Sequence, residues 1–253
     1  MAAVRFKAVR FWYDKANTDF VFGDFEVHDS SCVAVVGRSG VGKSTLLSLA
    51  AGLLQPKEGE VRVSGQDPTS FREAGRLSMV FQSASLLPWR TAKENVCLPF
   101  ELRQRLPDDS RIDQALRLVG LESDSHLYPD QLSGGMKSRA AFARALATNP
   151  ELLLLDEPFG SLDEVTRVGL VEDFVQLRRQ MDVTTILVTH NISEALYLAD
   201  SIFVLTGNKT EAGLEIRVME GMDQRGRWPG YREMLGTRRY RDFFGIILRQ
   251  LKG

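Results

Sequence analysis

Short apolar runs bounded by turn residues recur along the chain: 20–27 (FVFGDFEV), 32–36 (CVAVV), 77–82 (LSMVFQ), 152–156 (LLLLD), 184–190 (TTILVTH) and 202–206 (IFVLT). Runs of this length, apolar almost throughout, predict strands, most of them buried on both faces. Between the fourth and fifth, Val165, Val168, Val171, Phe174, Val175 and Leu177 follow one another at roughly helical spacing. That stretch, 164–181, predicts one crossover helix of about 27 Å. Strands alternating with helices in this way predict an α/β fold with a mostly parallel sheet. From about Pro88 to Pro150 the β pattern fades, while 111–119 and 137–148 read as helices. We therefore expect a single domain whose α/β core is formed by 1–87 and 151–220. An N-terminal antiparallel β region begins that core, a helical subdomain over 88–150 is inserted into it, and a helical extension over 221–253 follows.

The chain has 253 residues, 43% hydrophobic and 26% charged, which is ordinary globular composition and excludes disorder or collagen-like repetition. Lys and Arg number 32 against 33 Asp and Glu. With no basic excess to neutralise a polyphosphate backbone, no nucleic-acid partner is expected. Cys32 and Cys97 have no second cysteine or histidine at metal-ligand spacing, so a zinc site and a disulfide framework are not expected and free thiols in a reducing compartment are. The apolar runs fall far short of the ~20 residues that cross a bilayer. The first residues lack the basic start and apolar stretch of an export signal.

Gly37-Arg38-Ser39-Gly40-Val41-Gly42-Lys43-Ser44-Thr45 fits the pattern G-x-x-x-x-G-K-[ST], between a predicted strand and a helix-like stretch at 46–54. Glycines there let backbone N–H groups turn toward an anion, and the helix N-terminus adds partial positive charge. Lys43 suits the β- and γ-phosphates of a nucleoside triphosphate and Ser44 suits Mg²⁺. Asp156 and Glu157 end the run 152–156. Paired acids also occur at helix starts, but beside a phosphate loop Asp156 suits Mg²⁺ and Glu157 suits a general base for attacking water. Ser133 reads as the N-cap of a further helix, with Gly134 and Gly135 leaving its first N–H groups accessible.

Leu132-Ser133-Gly134-Gly135-Met136 resembles the LSGGQ signature of the ATP-binding cassette ATPases. The resemblance covers nearly the whole chain, in the expected order of phosphate loop, Gln82, signature, Asp156-Glu157, Ser161-Leu162-Asp163 and His190. It implies ATP and Mg²⁺ as cofactors, with Tyr13 stacked on adenine and Trp12 and Phe11 as close alternatives. It implies that Gln82 senses Mg²⁺ and the γ-phosphate, that His190 contacts the γ-phosphate, and that Asp163 lies in the loop crossing a dimer interface. Ser133, Gly134 and Gly135 would then face the ATP held by a second copy. Three features depart from the pattern: Met136 in place of glutamine, Ser30-Ser31 in place of Gly-Glu, and the segment 207–213.

Residues 86–96 and 194–200 are similar to the importer subunits for nitrate, sulfonate, taurine and related small solutes. The implied partners are integral-membrane permease subunits, a second copy of the chain and, indirectly, a periplasmic or extracellular solute-binding protein. The implied location is the cytoplasmic face of the inner membrane, peripherally bound. A cassette that remodels a nucleic-acid or protein complex is the alternative. Leu86, Leu87 and Trp89 flank Pro88 in a loop that would ordinarily be polar. Packing within the subdomain accounts for part of that apolarity, and a groove receiving a short permease helix for the rest. The C-terminal stretch holds Arg225, Arg227, Arg232, Arg238, Arg239, Arg241, Arg249 and Lys252 against Glu233 and Asp242. A solvated helix with Phe243, Phe244, Ile247 and Leu251 inward is favoured over a patch for anionic headgroups.

Overall fold

The computed structural model describes residues 2–13, 19–160, 162–210, 213–217, 228 and 230–252. Two compact units divide the chain, one formed by 1–74 with 183–253 and the other by 75–182. Ser161, Arg225, Arg227 and part of the segment 207–213 lie outside the described residues, as does the side chain of Lys252.

In the first unit β1 (Ala2–Trp12) alternates buried and open positions, but the phase changes midway. Val4 and Phe6 are buried, then Val9 and Phe11. Ala8 takes φ 48° and the pairing register slips between Lys7 and Arg10. One extra residue thus moves the apolar set from even to odd numbers while keeping it on one face. One edge of β1 takes β2 (Asp19–Phe22) and β3 (Phe25–His28), both antiparallel. The single strand expected over 20–27 is therefore two. Asp24 lies in the break, its carboxylate accepting the Ala8 N–H at 2.7 Å.

β4 (Cys32–Gly37) is buried along its whole length. The turn before it places Ser30 at φ 59°, a conformation that favours glycine, so the Ser30-Ser31 departure falls on a strained turn. After β4 comes α1 (Lys43–Ala50). It stops four residues before the expected end at 54, and Gly52 at φ 64° takes the chain out of helical geometry. β5 (Glu58–Val63) pairs antiparallel with the other edge of β1, and Asp67 caps α2 (Pro68–Glu73).

In the second unit β6 (Leu77–Val80) leads into α3 (Ala92–Leu102), α4 (Asp109–Leu118), a 3-10 turn at Pro129–Gln131 and α5 (Gly134–Ala147). β7 (Leu152–Asp156) and α6 (Glu164–Arg179) follow. Among the described residues no strand lies between β6 and β7. The two strands pair in parallel, with Leu77 opposite Leu152 and Val80 opposite Leu155. Arg76 clasps Glu151 in two hydrogen bonds just before the strands begin. The helix starts carry side-chain caps from Thr91, Asp108, Ser133 and Asp163. Phe142, Phe159 and Phe174 form an aromatic cluster with centroids 5.4 to 6.3 Å apart, joining α5 and α6 to the loop after β7.

The chain returns to the first unit in β8 (Thr184–Thr189), α7 (Ile192–Leu198), β9 (Ser201–Thr210) and β10 (Gly213–Arg217). β4 runs parallel between β8 and β9, while β10 joins β9 antiparallel to β2 parallel. The α/β class and the mixed sheet agree with the sequence. α8 (Tyr231–Leu235) and α9 (Arg238–Lys252) end the described chain. α9 packs on α7 and β9 with Ile247 fully buried and Phe243 and Phe244 half-buried, while Arg238, Arg239, Arg241 and Arg249 stay exposed.

The bulge at Ala8 leaves no room across the strand pair. A Cβ on Gly59 (φ 76°) would lie 2.2 Å from the Ala8 carbonyl oxygen, whereas one on Gly65, at the same φ, meets nothing within 4 Å. Gly65→Ala should cost about 1 kcal/mol from backbone strain and Gly59→Ala at least ~2 kcal/mol. Chemical denaturation of both variants measures the difference, and equal losses would rule out the close approach.

Candidate functional site

In the first unit the phosphate-loop sequence leaves the buried end of β4. Gly40 and Gly42 take φ 78° and 101°, which side chains rarely adopt. Gly37 is needed for space, since its Cβ would lie 2.7 Å from Val41 Cγ1. Val41 is buried and anchors the loop, while Arg38, Ser39 and Gly40 are exposed. α1 starts on Gly42 with no side-chain cap, so no cap residue competes for the N–H groups of its first turn. Lys43 is only 6% exposed, and its Nζ donates to the carbonyls of Gly37 at 2.9 Å and Arg38 at 3.0 Å. A cation held in the mouth of the loop, an open helix start and the exposed hydroxyl-bearing Ser44 make a cradle that fits a polyphosphate.

Tyr13 stands beside this helix, its hydroxyl 3.2 Å from Thr45 Oγ1. Phe11 and Phe20 meet its ring edge-on. Of the three candidate aromatics Tyr13 is exposed, Trp12 is half-buried and Phe11, at 4% exposure, belongs to the core. Phe11 is thereby withdrawn as a stacking surface. His190 follows Thr189, which pairs in register with Val36, so His190 leaves β8 level with Gly37 and is exposed.

In the second unit the same register argument brings Gln82 and Glu157 level, each two residues beyond the paired Val80 and Leu155. The strand itself stops at Val80, short of the expected 82, and Gln82 is exposed. A Cβ on Gly160 would lie 3.7 Å from both Gln82 Nε2 and Glu157 Oε2, so the two side chains converge there. Glu157 holds φ 45°, a left-handed conformation that glutamate rarely adopts. Asp156 lines an open cleft with Gln82, Ser83, Gly134, Lys137 and Ser138. Among the described residues no three His, Cys, Asp or Glu side chains converge as a metal cage. Within the second unit the side-chain oxygens of Gln82 and Asp156 are donors of the kind that suits Mg²⁺, which commonly completes its shell with water and substrate phosphates, and in the first unit the Ser44 hydroxyl is another donor of that kind.

Ser133 caps α5 by accepting the Met136 N–H at 3.2 Å, and Ser133 and Gly134 are exposed. Met136 is half-buried, so the departure from glutamine leaves the helix start intact. Gly135 is sterically required, since its Cβ would lie 2.5 Å from Thr166 Cγ2. Asp163 accepts the N–H groups of Val165 and Thr166 and caps α6. Hydrogen bonds from Thr166 hold its carboxyl below the usual carboxylate range.

Two residues outside the predicted set organise the loop after Gln82. Arg144, in the last turn of α5, donates to the carbonyls of Ala84 and Ser85 at 2.9 Å each, and burial pushes its guanidinium below the ordinary value. Asn95 is fully buried, accepts the Leu87 N–H at 2.7 Å and donates to the carbonyls of Leu87, Arg90 and Thr91. Between these anchors Leu86 and Leu87 are half-buried and Trp89 is 70% exposed. The sole sequence signal for Asn95 is an amide one turn into a helix, between buried Ala92 and Val96.

The family described as ABC transporter matches residues 23–160. The chain is 44% identical over 188 residues to the nitrate import ATP-binding protein NrtD of Synechococcus elongatus, covering 72% of this chain and 68% of that one. It is 47% identical over 196 residues to the aliphatic sulfonates import ATP-binding protein SsuB 2 of Xanthomonas axonopodis pv. citri, covering 77% and 64%. Against the bicarbonate transport ATP-binding protein CmpC of Synechococcus elongatus it is 44% identical over 202 residues, and it spans 30% of that longer relative. An ATP-binding cassette solved as a dimer in a post-hydrolysis state with ADP and Pi matches at a TM-score of 0.72 and 30% identity, covering 88% of this chain and 99% of that one. The cbiO1 protein of Clostridium perfringens shares the fold at a TM-score of 0.76 and 21% identity, covering 98% and 99%. By the match over more than half its length and by these relatives, the chain belongs to the ABC transporter family.

Proposed function

We propose that this chain is the ATP-hydrolysing subunit of an importer, driving uptake of a small solute of the nitrate, sulfonate or taurine kind through a membrane permease. The observation that carries the reading is the cradle around Lys43, a buried ammonium beside an uncapped helix start behind a left-handed glycine loop. The import roles of the nitrate and sulfonate relatives favour a transporter over a cassette that remodels nucleic-acid or protein complexes.

In this reading Lys43 and the first turn of α1 bind the β- and γ-phosphates, Tyr13 stacks on adenine, and Ser44, Gln82 and Asp156 hold Mg²⁺. The metal, when bound, neutralises phosphate charge. Glu157 takes a proton from the attacking water as its oxygen bonds to the γ-phosphorus and the bond to the bridging oxygen breaks, releasing ADP and phosphate. His190 and Gln82 orient the γ-phosphate. Ser133, Gly134 and Gly135 act on ATP bound by a second copy, with Asp163 in the loop between copies. The dimeric ADP-bound cassette among the structural relatives supports such a pair. ATP closes the pair because it binds the closed form better, and hydrolysis reopens it. The chain works at the cytoplasmic face of the inner membrane, and a periplasmic or extracellular solute-binding protein delivers the solute to the permease.

The pinned loop carrying Trp89 is the proposed permease contact. A large apolar ring held out between two hydrogen-bonded anchors loses little freedom on docking.

Glu157→Gln should keep nucleotide binding and lose turnover by roughly 10² to 10⁴, since an amide of the same shape cannot take the water's proton. ATP binding and steady-state phosphate release, measured side by side, check this, and unaltered hydrolysis would remove Glu157 from the mechanism. Trp89→Ala should leave the ATPase of the isolated chain intact and weaken permease association by ~2 kcal/mol or more. Reconstituted complexes read both quantities. Collapse of the isolated ATPase together with thermal stability would make Trp89 a packing residue, and no change in either would move the docking surface elsewhere.

A further inference from the structure

We propose that Thr189 and Glu194 form a brace that fixes His190, which makes Thr189 a positioning residue for hydrolysis. This inference rests on the proposed contact of His190 with the γ-phosphate.

Thr189 is the last residue of β8 and 2% exposed. Its hydroxyl accepts the Asn191 N–H at 3.0 Å and donates to Glu194 Oε2 at 2.7 Å. Glu194 lies in the first turn of α7 and is 3% exposed. His190 is therefore spanned on both sides. One bond closes the chain from 189 to 191 across it, and the other ties the residue before it to the helix after it. Asn191 completes the lock, its side-chain oxygen accepting the N–H groups of Ser193 at 2.9 Å and Glu194 at 3.2 Å. On the strand side Thr189 pairs with Val36, directly before the phosphate loop.

Each part has a physical requirement. A buried carboxylate is costly unless hydrogen-bonded, so a site that keeps Glu194 must supply directed donors, and the Thr189 hydroxyl is one. A hydroxyl can accept from Asn191 and donate to Glu194 at once. Valine has the same shape and can do neither. The exposed His190 imidazole gains its direction from the backbone that Thr189 holds, and small misplacements of an orienting group reduce rate far more than binding.

The test uses the full chain and compares Thr189→Val, Thr189→Ser, His190→Ala and the Thr189→Val/His190→Ala double variant. Thr189→Val should lower kcat about tenfold with KM for ATP nearly unchanged. Thr189→Ser should retain turnover, and Thr189→Val should cost nothing further once His190 is alanine. A side-chain NMR spectrum gives a readout independent of activity, because His28, His126 and His190 are the only histidines. Thr189→Val should shift the His190 imidazole signals and leave the other two in place. Should Thr189→Val fail to fold, Glu194→Gln serves, with a smaller loss in the same direction and the same shift of His190. Unchanged His190 signals, multiplicative losses in the double variant, or a serine variant as slow as valine would each overturn the brace. A His190→Ala chain that turns over normally while the His190 signals still respond to Thr189→Val would instead overturn the catalytic role of His190 and leave the brace standing.

Discussion

A strand paired on both edges and covered on both faces has nowhere to meet solvent except at its ends, and β4 is such a strand. β8 and β9 occupy its two edges, and its residues are buried from Cys32 to Gly37. Because all three strands are parallel, their C-terminal ends emerge together, and the chemistry of the first unit is confined there. The buried Asp200 side chain fixes the other end of β4 by accepting the Cys32 N–H at 2.8 Å, while the Asp200 N–H donates back to the Cys32 carbonyl at 2.7 Å. With β4 clamped at its start, the phosphate loop, His190 and the chain after Leu205 take fixed relative heights.

The second unit meets a related constraint in a different way. The loop after Gln82 has no strand partner, yet its carbonyls must be satisfied wherever it packs. Arg144 and Asn95 supply the donors from two helices. Side chains of helices thus perform for this loop the service that neighbouring backbone performs for β4. The loop is ordered without being regular, and the Trp89 ring stays exposed on it.

Contiguous chemistry was legible in the sequence. The phosphate loop, the paired acids after four leucines and the capped Gly-Gly helix start are each local patterns, and the structure carries them on the predicted kinds of element. Pairing across the chain was not legible. Nothing local says that Val80 stands opposite Leu155, so the convergence of Gln82 and Glu157 over Gly160 emerges only from the fold. The same holds for the network around Thr189, a residue that reads as one more β-branched strand position. β1 was hidden for another reason. Its period-two pattern is present but changes phase at Ala8, and a bulge of one residue erases a signal that depends on strict alternation. The break in the strand expected over 20–27 was visible in principle, since Gly23-Asp24 is turn chemistry inside an apolar run.

Glu157 sits in a left-handed backbone conformation that glycine would adopt freely and that a residue with a Cβ occupies at a cost of about 1–2 kcal/mol. With the proposed role of Glu157 as general base, stability and turnover pull in opposite directions at this one position. On that proposed role, random libraries selected only for survival of heating would enrich glycine there and return sturdy, inactive clones. Thermostabilising this protein calls for holding position 157 constant and seeking gains at the strained turns that carry no chemistry, such as Ser30.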